Sequence, residues 1–153
     1  MKNHVIRNTI LISALLSLSS PPAAFAQKGM ESKILADVNK HRAEMDIGSL
    51  KDNKILDEAA LQHSRDMASG KIPLGHSGFN ERMAKLMKEL APANACAENV
   101  AYGANTADEV VDMWLHSPGH RKNIEGNYNL SGIGIAEDKN GRKYFTQIFI
   151  KKW

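Results

Sequence analysis

The stretch Trp114-Leu115-His116-Ser117-Pro118-Gly119-His120-Arg121-Lys122-Asn123-Ile124 decides how this chain folds around its candidate site, because it ends a helix next to several polar side chains. Upstream, Thr106 and Glu109 form the pattern of a capping box at the start of that amphipathic helix. Pro118 has no backbone donor and disfavours helical geometry in the residue before it, so the helix must end there. The pattern therefore predicts that His120 projects from a turn beside the helix end.

The first residues of the chain have the pattern of an export signal. Lys2 and Arg7 give a basic start, residues 10–18 are mostly apolar, and Ala24-Phe25-Ala26 is a small-residue cleavage motif. The apolar run is shorter than the roughly 20 residues that cross a bilayer. We expect residues 1–26 to be a signal peptide. The product is expected to be periplasmic or extracellular, with no transmembrane anchor after processing.

Residues 27–153 are predicted to form a single domain, since they have a usual size for one hydrophobic core. The formal net charge of +3 includes Lys2 and Arg7, so the processed chain would carry +1, with both signs interspersed. This balance does not indicate a nucleic-acid partner. The only cysteine, Cys96, allows no internal disulfide, so packing must stabilise the exported protein.

Helical patterns precede strand patterns along the chain. Apolar residues at helical spacing predict helices around residues 34–45, 55–67 and 83–90, in addition to the capped one. Near the end, isoleucines alternate with glycines around residues 133–135, Asn140-Gly141 suits a tight turn, and residues 144–150 favour a strand. The order predicts an α+β domain that ends in a β-hairpin.

The polar residues with possible chemistry lie in three separate segments, around His76, Glu98 and His120. Together with their neighbours they resemble the CAP superfamily of cysteine-rich secretory proteins, antigen 5 and pathogenesis-related proteins (the SCP domain), and specifically its short bacterial secreted branch. The matching segments are, in chain order, Asn39-Lys40-His41-Arg42, His63-Ser64-Arg65-Asp66-Met67-Ala68, Gly75-His76-Ser77, Ala97-Glu98-Asn99-Val100-Ala101, Met113 to Ile124, Gly132-Ile133-Gly134 and Thr146-Gln147. Any one of these segments is a weak signal, but the ordered set is specific.

The resemblance implies a three-layer α-β-α sandwich with a central antiparallel sheet. It also implies a cleft lined by His76, Glu98 and His120, the positions that match the family's two histidines and one of its two acids. Ser117 stands where the second acid usually lies, so the full set of four is absent, and Ala97 replaces the usual glycine before the glutamate.

Two interpretations of these cleft residues stay open. Two neutral imidazoles and one carboxylate suit a divalent ion such as Zn²⁺, which would make His76, His120 and Glu98 metal ligands. The alternative, which we favour, is that the three side chains only hydrogen-bond one another and brace loops. A Cys96–histidine nucleophile pair is the weaker hypothesis, because a small buried sulfur explains this cysteine as well.

The sequence leaves two hypotheses for the function. The first, which we favour because the second acid is missing, is an exported binding or interaction module for a small apolar ligand, a peptide or an envelope component. The second is a metal-dependent hydrolase acting on peptide or cell-envelope material. No independent catalytic motif decides between them.

Overall fold

The computed structural model describes residues 23–153, with side chains from residue 26, so most of the predicted signal peptide lies outside the described residues. The elements are α1 (Ala23–Glu44), β1 (Lys51–Asp52), α2 (Lys54–Ala68), α3 (Phe79–Glu89), β2 (Ala93–Tyr102), α4 (Ala107–Leu115), α5 (Pro118–Ile124), β3 (Leu130–Glu137) and β4 (Lys143–Lys152). None of the helices in this part of the chain combines the length and the apolar composition that crossing a bilayer requires.

The four strands form one sheet in the order β1-β3-β4-β2. The predicted hairpin is confirmed: β3 and β4 are antiparallel, with Ile135 opposite Phe145. β2 also pairs antiparallel with β4 and places Glu98 opposite Ile148. The short strand β1 adds a parallel pairing to β3 that the sequence analysis did not predict.

Helices cover both faces of the sheet, which confirms the expected sandwich. On one face, α1 and α4 pack on alternate side chains of β3 and β4, and the cluster includes Val38, Trp114, Ile133, Phe145 and Phe149. On the other face, α2 and α3 pack on Ile148 and Ile150. This alternation follows from the period of two along a strand, which sends successive side chains of β4 to opposite layers.

Helix α2 lies unusually close to β3 because two positions of that strand lack a side chain. A Cβ atom on Gly134 would lie 2.0 Å from the backbone nitrogen of Leu61, and one on Gly132 would lie 2.3 Å from that of Asp57. The hydroxyl of Ser64 donates to the Gly134 carbonyl oxygen across the same contact, at 2.8 Å. The glycines therefore set the height of α2 above the sheet.

A buried arginine ties the end of α1 to the loop before β3. The side chain of Arg42 is 1% exposed, and its guanidinium donates to the carbonyl oxygens of Gly48, Ile124, Gly126 and Tyr128 at 2.6–3.0 Å. Burial lowers the pKa of Arg42 from its usual value. The charge is stabilised by backbone dipoles, which present acceptor atoms on several sides of the guanidinium.

The predicted turn after Pro118 was wrong, because a short helix begins there. Helix α4 ends at Leu115 as expected, with the Thr106 hydroxyl accepting from the Glu109 backbone N–H at its start. Pro118 then occupies the first turn of α5, and Ser117 is the N-cap residue. A proline disfavours a helix that ends just before it, but it suits the first position of a following helix. A backbone N–H at that position would have no partner within the helix. His120 therefore projects from a helix.

Candidate functional site

Glu98 lies in the middle of β2 with a completely buried side chain. The guanidinium of Arg82, on α3, binds both of its carboxylate oxygens. Nε donates to Oε2 at 2.9 Å, and Nη2 lies 2.9 Å from Oε1 and 2.7 Å from Oε2. Since a lone buried carboxylate is strongly disfavoured, this two-pronged ion pair compensates the carboxylate of Glu98 inside the protein.

Two histidines approach the same carboxylate from different environments. His76 Nδ1–H donates to Glu98 Oε1 at 3.0 Å, and its side chain is 49% exposed. His63 lies 3.7 Å from the same oxygen but is fully buried, and its Nε2–H donates to the Gly75 carbonyl oxygen at 2.8 Å. Burial lowers the pKa of His63 below its usual value, against the attraction of Glu98. His63 therefore braces the loop as a neutral ring, and His76 is the histidine that faces outward.

The loop between α2 and α3 presents His76 by means of two glycines. Gly75 has a φ of 137° and Gly78 a φ of 71°, both in the region that favours glycine. Gly78 is the N-cap residue of α3. Arg82 also donates from Nη1 to the carbonyl oxygen of Ser77 at 3.1 Å, so the residue that neutralises Glu98 also holds the loop that carries His76.

His120 is held in place through its backbone by a pair of asparagines. Asn99, fully buried on β2, donates from Nδ2 to the His120 carbonyl oxygen at 3.1 Å. Asn123 donates to Asn99 Oδ1 at 2.9 Å and to the Glu98 carbonyl oxygen at 3.2 Å. Desolvation, followed by repulsion from His76, lowers the pKa of His120, which favours its neutral form near pH 7.

The structure brings three of the sequence-predicted residues to one cleft of about 410 Å³. The cleft is lined by Leu74, Gly75, His76, Val100, Ala101, Tyr102, Met113, Trp114, Ser117 and His120. Glu98 does not line this cleft. It contacts His76 from behind and lines a neighbouring depression of about 380 Å³ together with Cys96 and Tyr128.

The rim of the cleft is apolar and exposed. Leu74, Tyr102 and Met113 are 46%, 44% and 45% exposed, and these are three of the five exposed large apolar side chains in the described part of the chain. The wall includes Trp114, which is fully buried, and its Nε1–H has no hydrogen-bond partner among residues 23–153. A buried donor without an acceptor is uncommon and costs free energy.

The geometry offers the metal interpretation of His76, Glu98 and His120 little support, and it stays a prediction. Both oxygens of Glu98 are engaged by Arg82, and His76 uses Nδ1 toward the same carboxylate. Within residues 23–153, no group of three or more His, Cys, Asp or Glu side chains is placed to hold a metal ion. Burial also raises the pKa of the Cys96 thiol, which disfavours the thiolate that a nucleophile would need.

A larger groove of about 700 Å³ lies between α2 and α3. It is lined in part by Ile55, Leu86, His63 and Arg82, but not by His76, Glu98 or His120. The polar atoms of His63 and Arg82 in its wall are already bonded to the Gly75 carbonyl oxygen and to Glu98.

Sequence reasoning missed Arg82 as part of the site. Its partner Glu98 lies 16 residues further along the chain, and no local spacing connects them. One signal was available: a glutamate within an apolar strand needs a compensating charge. That argument would have required a search for a cation on a packed helix, where Arg82 lies.

The chain belongs to the CAP family, the cysteine-rich secretory protein family, whose family model matches residues 35–149. The matched range contains His76, Glu98, Ser117 and His120, which confirms the resemblance drawn from the motifs.

Individual relatives agree with this assignment. The chain is 30% identical over 132 residues to a Bacillus subtilis (strain 168) protein named as the uncharacterized membrane protein YlbC; the match covers 83% of this chain and 36% of that protein. Among solved structures, an extracellular protein containing a SCP domain from Bacillus anthracis is 25% identical, with a TM-score of 0.67, over 88% of this chain and 45% of that one. An outer surface protein from Borrelia burgdorferi has the same fold, with a TM-score of 0.72 at 18% identity over 83% of this chain and 96% of that one.

Proposed function

We propose that this protein is an exported binding module whose cleft between His76 and His120 holds a ligand with both an apolar and a hydrogen-bonding group. The observation that carries the proposal is the exposed rim formed by Leu74, Tyr102 and Met113. Apolar side chains grouped around a concave polar site are typical of ligand and partner surfaces, whereas scattered ones are not.

The polar groups of the cleft support recognition more than catalysis. His76 is oriented by Glu98 through Nδ1, which leaves Nε2 as its outward atom. Glu98 itself is fully buried and bound to Arg82, so it is poorly placed to accept a proton from a substrate or water. This arrangement gives the hydrolase alternative no observation in its favour.

Export is part of the proposal. The related Bacillus anthracis protein is described as extracellular and the Borrelia burgdorferi one as an outer surface protein. With the basic and apolar start of this chain, these relatives support a periplasmic or extracellular location. The ligand would then be a small apolar molecule, a peptide or an envelope component that the exported protein meets there.

The proposal can be tested by NMR, because Trp114 lies in the cleft wall and Trp153 lies at the chain end. The processed protein, labelled with ¹⁵N, is titrated separately with N-acetyl-leucinamide and with decanoate, which represent peptide-like and lipid-like ligands. We expect at least one probe to shift the Trp114 indole N–H resonance and to leave that of Trp153 unchanged.

The matched variants are Met113→Ala at the rim and Met45→Ala at a similarly exposed methionine elsewhere, with exposures of 45% and 53%. Binding should weaken only in the first. If neither probe moves the Trp114 resonance, or if both variants bind as the wild type does, the cleft is not the binding site.

A further inference from the structure

A second depression of about 480 Å³ continues from the cleft across Tyr102 and Met113, since these two side chains line both. Its wall carries the carboxylates of Glu109 and Asp112. Building on the proposed function, we infer that the ligand is a peptide that places an apolar residue in the His76–His120 cleft and a basic residue in this acidic depression.

The side chain of Tyr102, which lies between the two depressions, is held in a fixed position. The ring of Tyr102 stacks on that of Tyr144 with centroids 6.0 Å apart, and the guanidinium of Arg142 lies 5.8 Å from the Tyr102 centroid. Such contacts restrict an exposed aromatic side chain and reduce the entropy that binding would cost. A ligand that crosses Tyr102 therefore meets a prepared surface.

The hydrogen-bonding groups of the cleft favour a peptide over a lipid. His76 donates from Nδ1 to Glu98, so in its neutral form Nε2 accepts and requires a donor from the ligand. A peptide supplies that donor in its backbone N–H, whereas an ionised fatty acid supplies acceptors only.

The carboxylates of the second depression then favour a positively charged side chain on the ligand. Asp112 is 71% exposed, and its only ionic neighbour in the described part of the chain is His116, at 3.2 Å. Glu109 accepts the backbone N–H of Asn105 at 2.6 Å, which fixes its carboxylate at the start of α4. Both carboxylates lie on the wall of this depression, where they attract a lysine or arginine side chain.

The experiment compares three peptides that differ only in the second side chain, which is basic, neutral or acidic: N-acetyl-Leu-Lys-amide, N-acetyl-Leu-Gln-amide and N-acetyl-Leu-Glu-amide. Each is titrated into the processed protein at pH 7.5 and low salt, with the Trp114 indole N–H as the reporter. We expect the lysine peptide to bind about twofold to fivefold more tightly than the glutamine peptide, the range of exposed ion pairs, and the glutamate peptide to bind least. High salt should remove the difference.

Asp112→Asn should reduce the preference for the lysine peptide over the glutamine peptide, since Glu109 keeps its carboxylate, whereas Glu89→Gln, at an exposed carboxylate outside both depressions, should leave that preference unchanged. Equal binding of the three peptides would overturn the inference and leave the proposed binding function standing. Binding of decanoate but of none of the three peptides would also overturn the inference and leave the proposed binding function standing. If no probe shifts Trp114, both the inference and the proposed function fail.

Discussion

Replacing Arg82 by Leu removes the cation that compensates the buried carboxylate of Glu98. In the wild type, Nε and Nη2 of Arg82 approach the two carboxylate oxygens at 2.7–2.9 Å, and the carboxylate has no exposed surface. Breaking a buried pair from one side costs about 3–5 kcal/mol, because the remaining charge stays desolvated. Arg82 is itself 15% exposed, so we expect about 3 kcal/mol. For a domain of this size that lowers Tm by roughly 10 °C.

Urea unfolding of the processed protein measures this loss, and a second variant separates charge from packing. Arg82→Leu combined with Glu98→Gln removes both charges and should recover more than half of the lost free energy of unfolding. The reasoning is refuted if Arg82→Leu stays within about 1 kcal/mol of the wild type, the range of exposed pairs, or if the double variant recovers nothing.

Three further outcomes are expected. Gly134→Ala should lower the free energy of unfolding by about 3 kcal/mol, because the added Cβ meets the backbone of α2. Gly29→Ala, which has open space around it, should not lower it, and urea unfolding of the two variants tests the difference. The lowered pKa of His63 means that the unfolded chain takes up a proton more readily, so stability should fall as pH drops below about 6.5, by at most about 1.4 kcal/mol per pH unit for this group. Unfolding of His63→Gln at pH 7.5 and 5.5 should show a smaller fall, and an unchanged one contradicts the assignment. Mass spectrometry of the protein from its native host should find a chain that begins at Gln27 or within a few residues of it; an intact Met1 on a membrane species would contradict export.

The elements were predictable where a local pattern specified them. The Thr106 capping box, the apolar stripes of the helices and the Asn140-Gly141 turn act within a few residues, and the structure contains the helices and the hairpin that they predicted. β1 was missed because a two-residue strand has no periodicity to detect. Helix α5 was missed because Pro118-Gly119 is compatible with either a turn or a helix start. One contact that holds the helix, from the Asn99 side chain to the His120 carbonyl oxygen, comes from the distant strand β2.

The residues of the site were predictable from the sequence, but the contacts between them were not. The motifs named His76, Glu98 and His120, and the structure shows Glu98 behind His76 while His120 lines the cleft in front of it. The charge balance that sets the role of Glu98 depends on Arg82, which contacts it only because α3 packs across β2. Contacts of this kind follow from tertiary packing, so spacing along the chain carries little information about them.

The guanidinium of Arg42 acts as a cross-link in a protein that has no internal disulfide. It joins the turn at Gly48 to carbonyl groups that lie 82–86 residues beyond Arg42 in the chain, whereas Cys96 is free. A disulfide across so long a loop would restrict the unfolded chain, but it would also make folding depend on an oxidant. Arg42 connects the same distant segments through hydrogen bonds that no reductant can break. The link that Arg42 provides is therefore independent of the redox state of the compartment in which the chain folds.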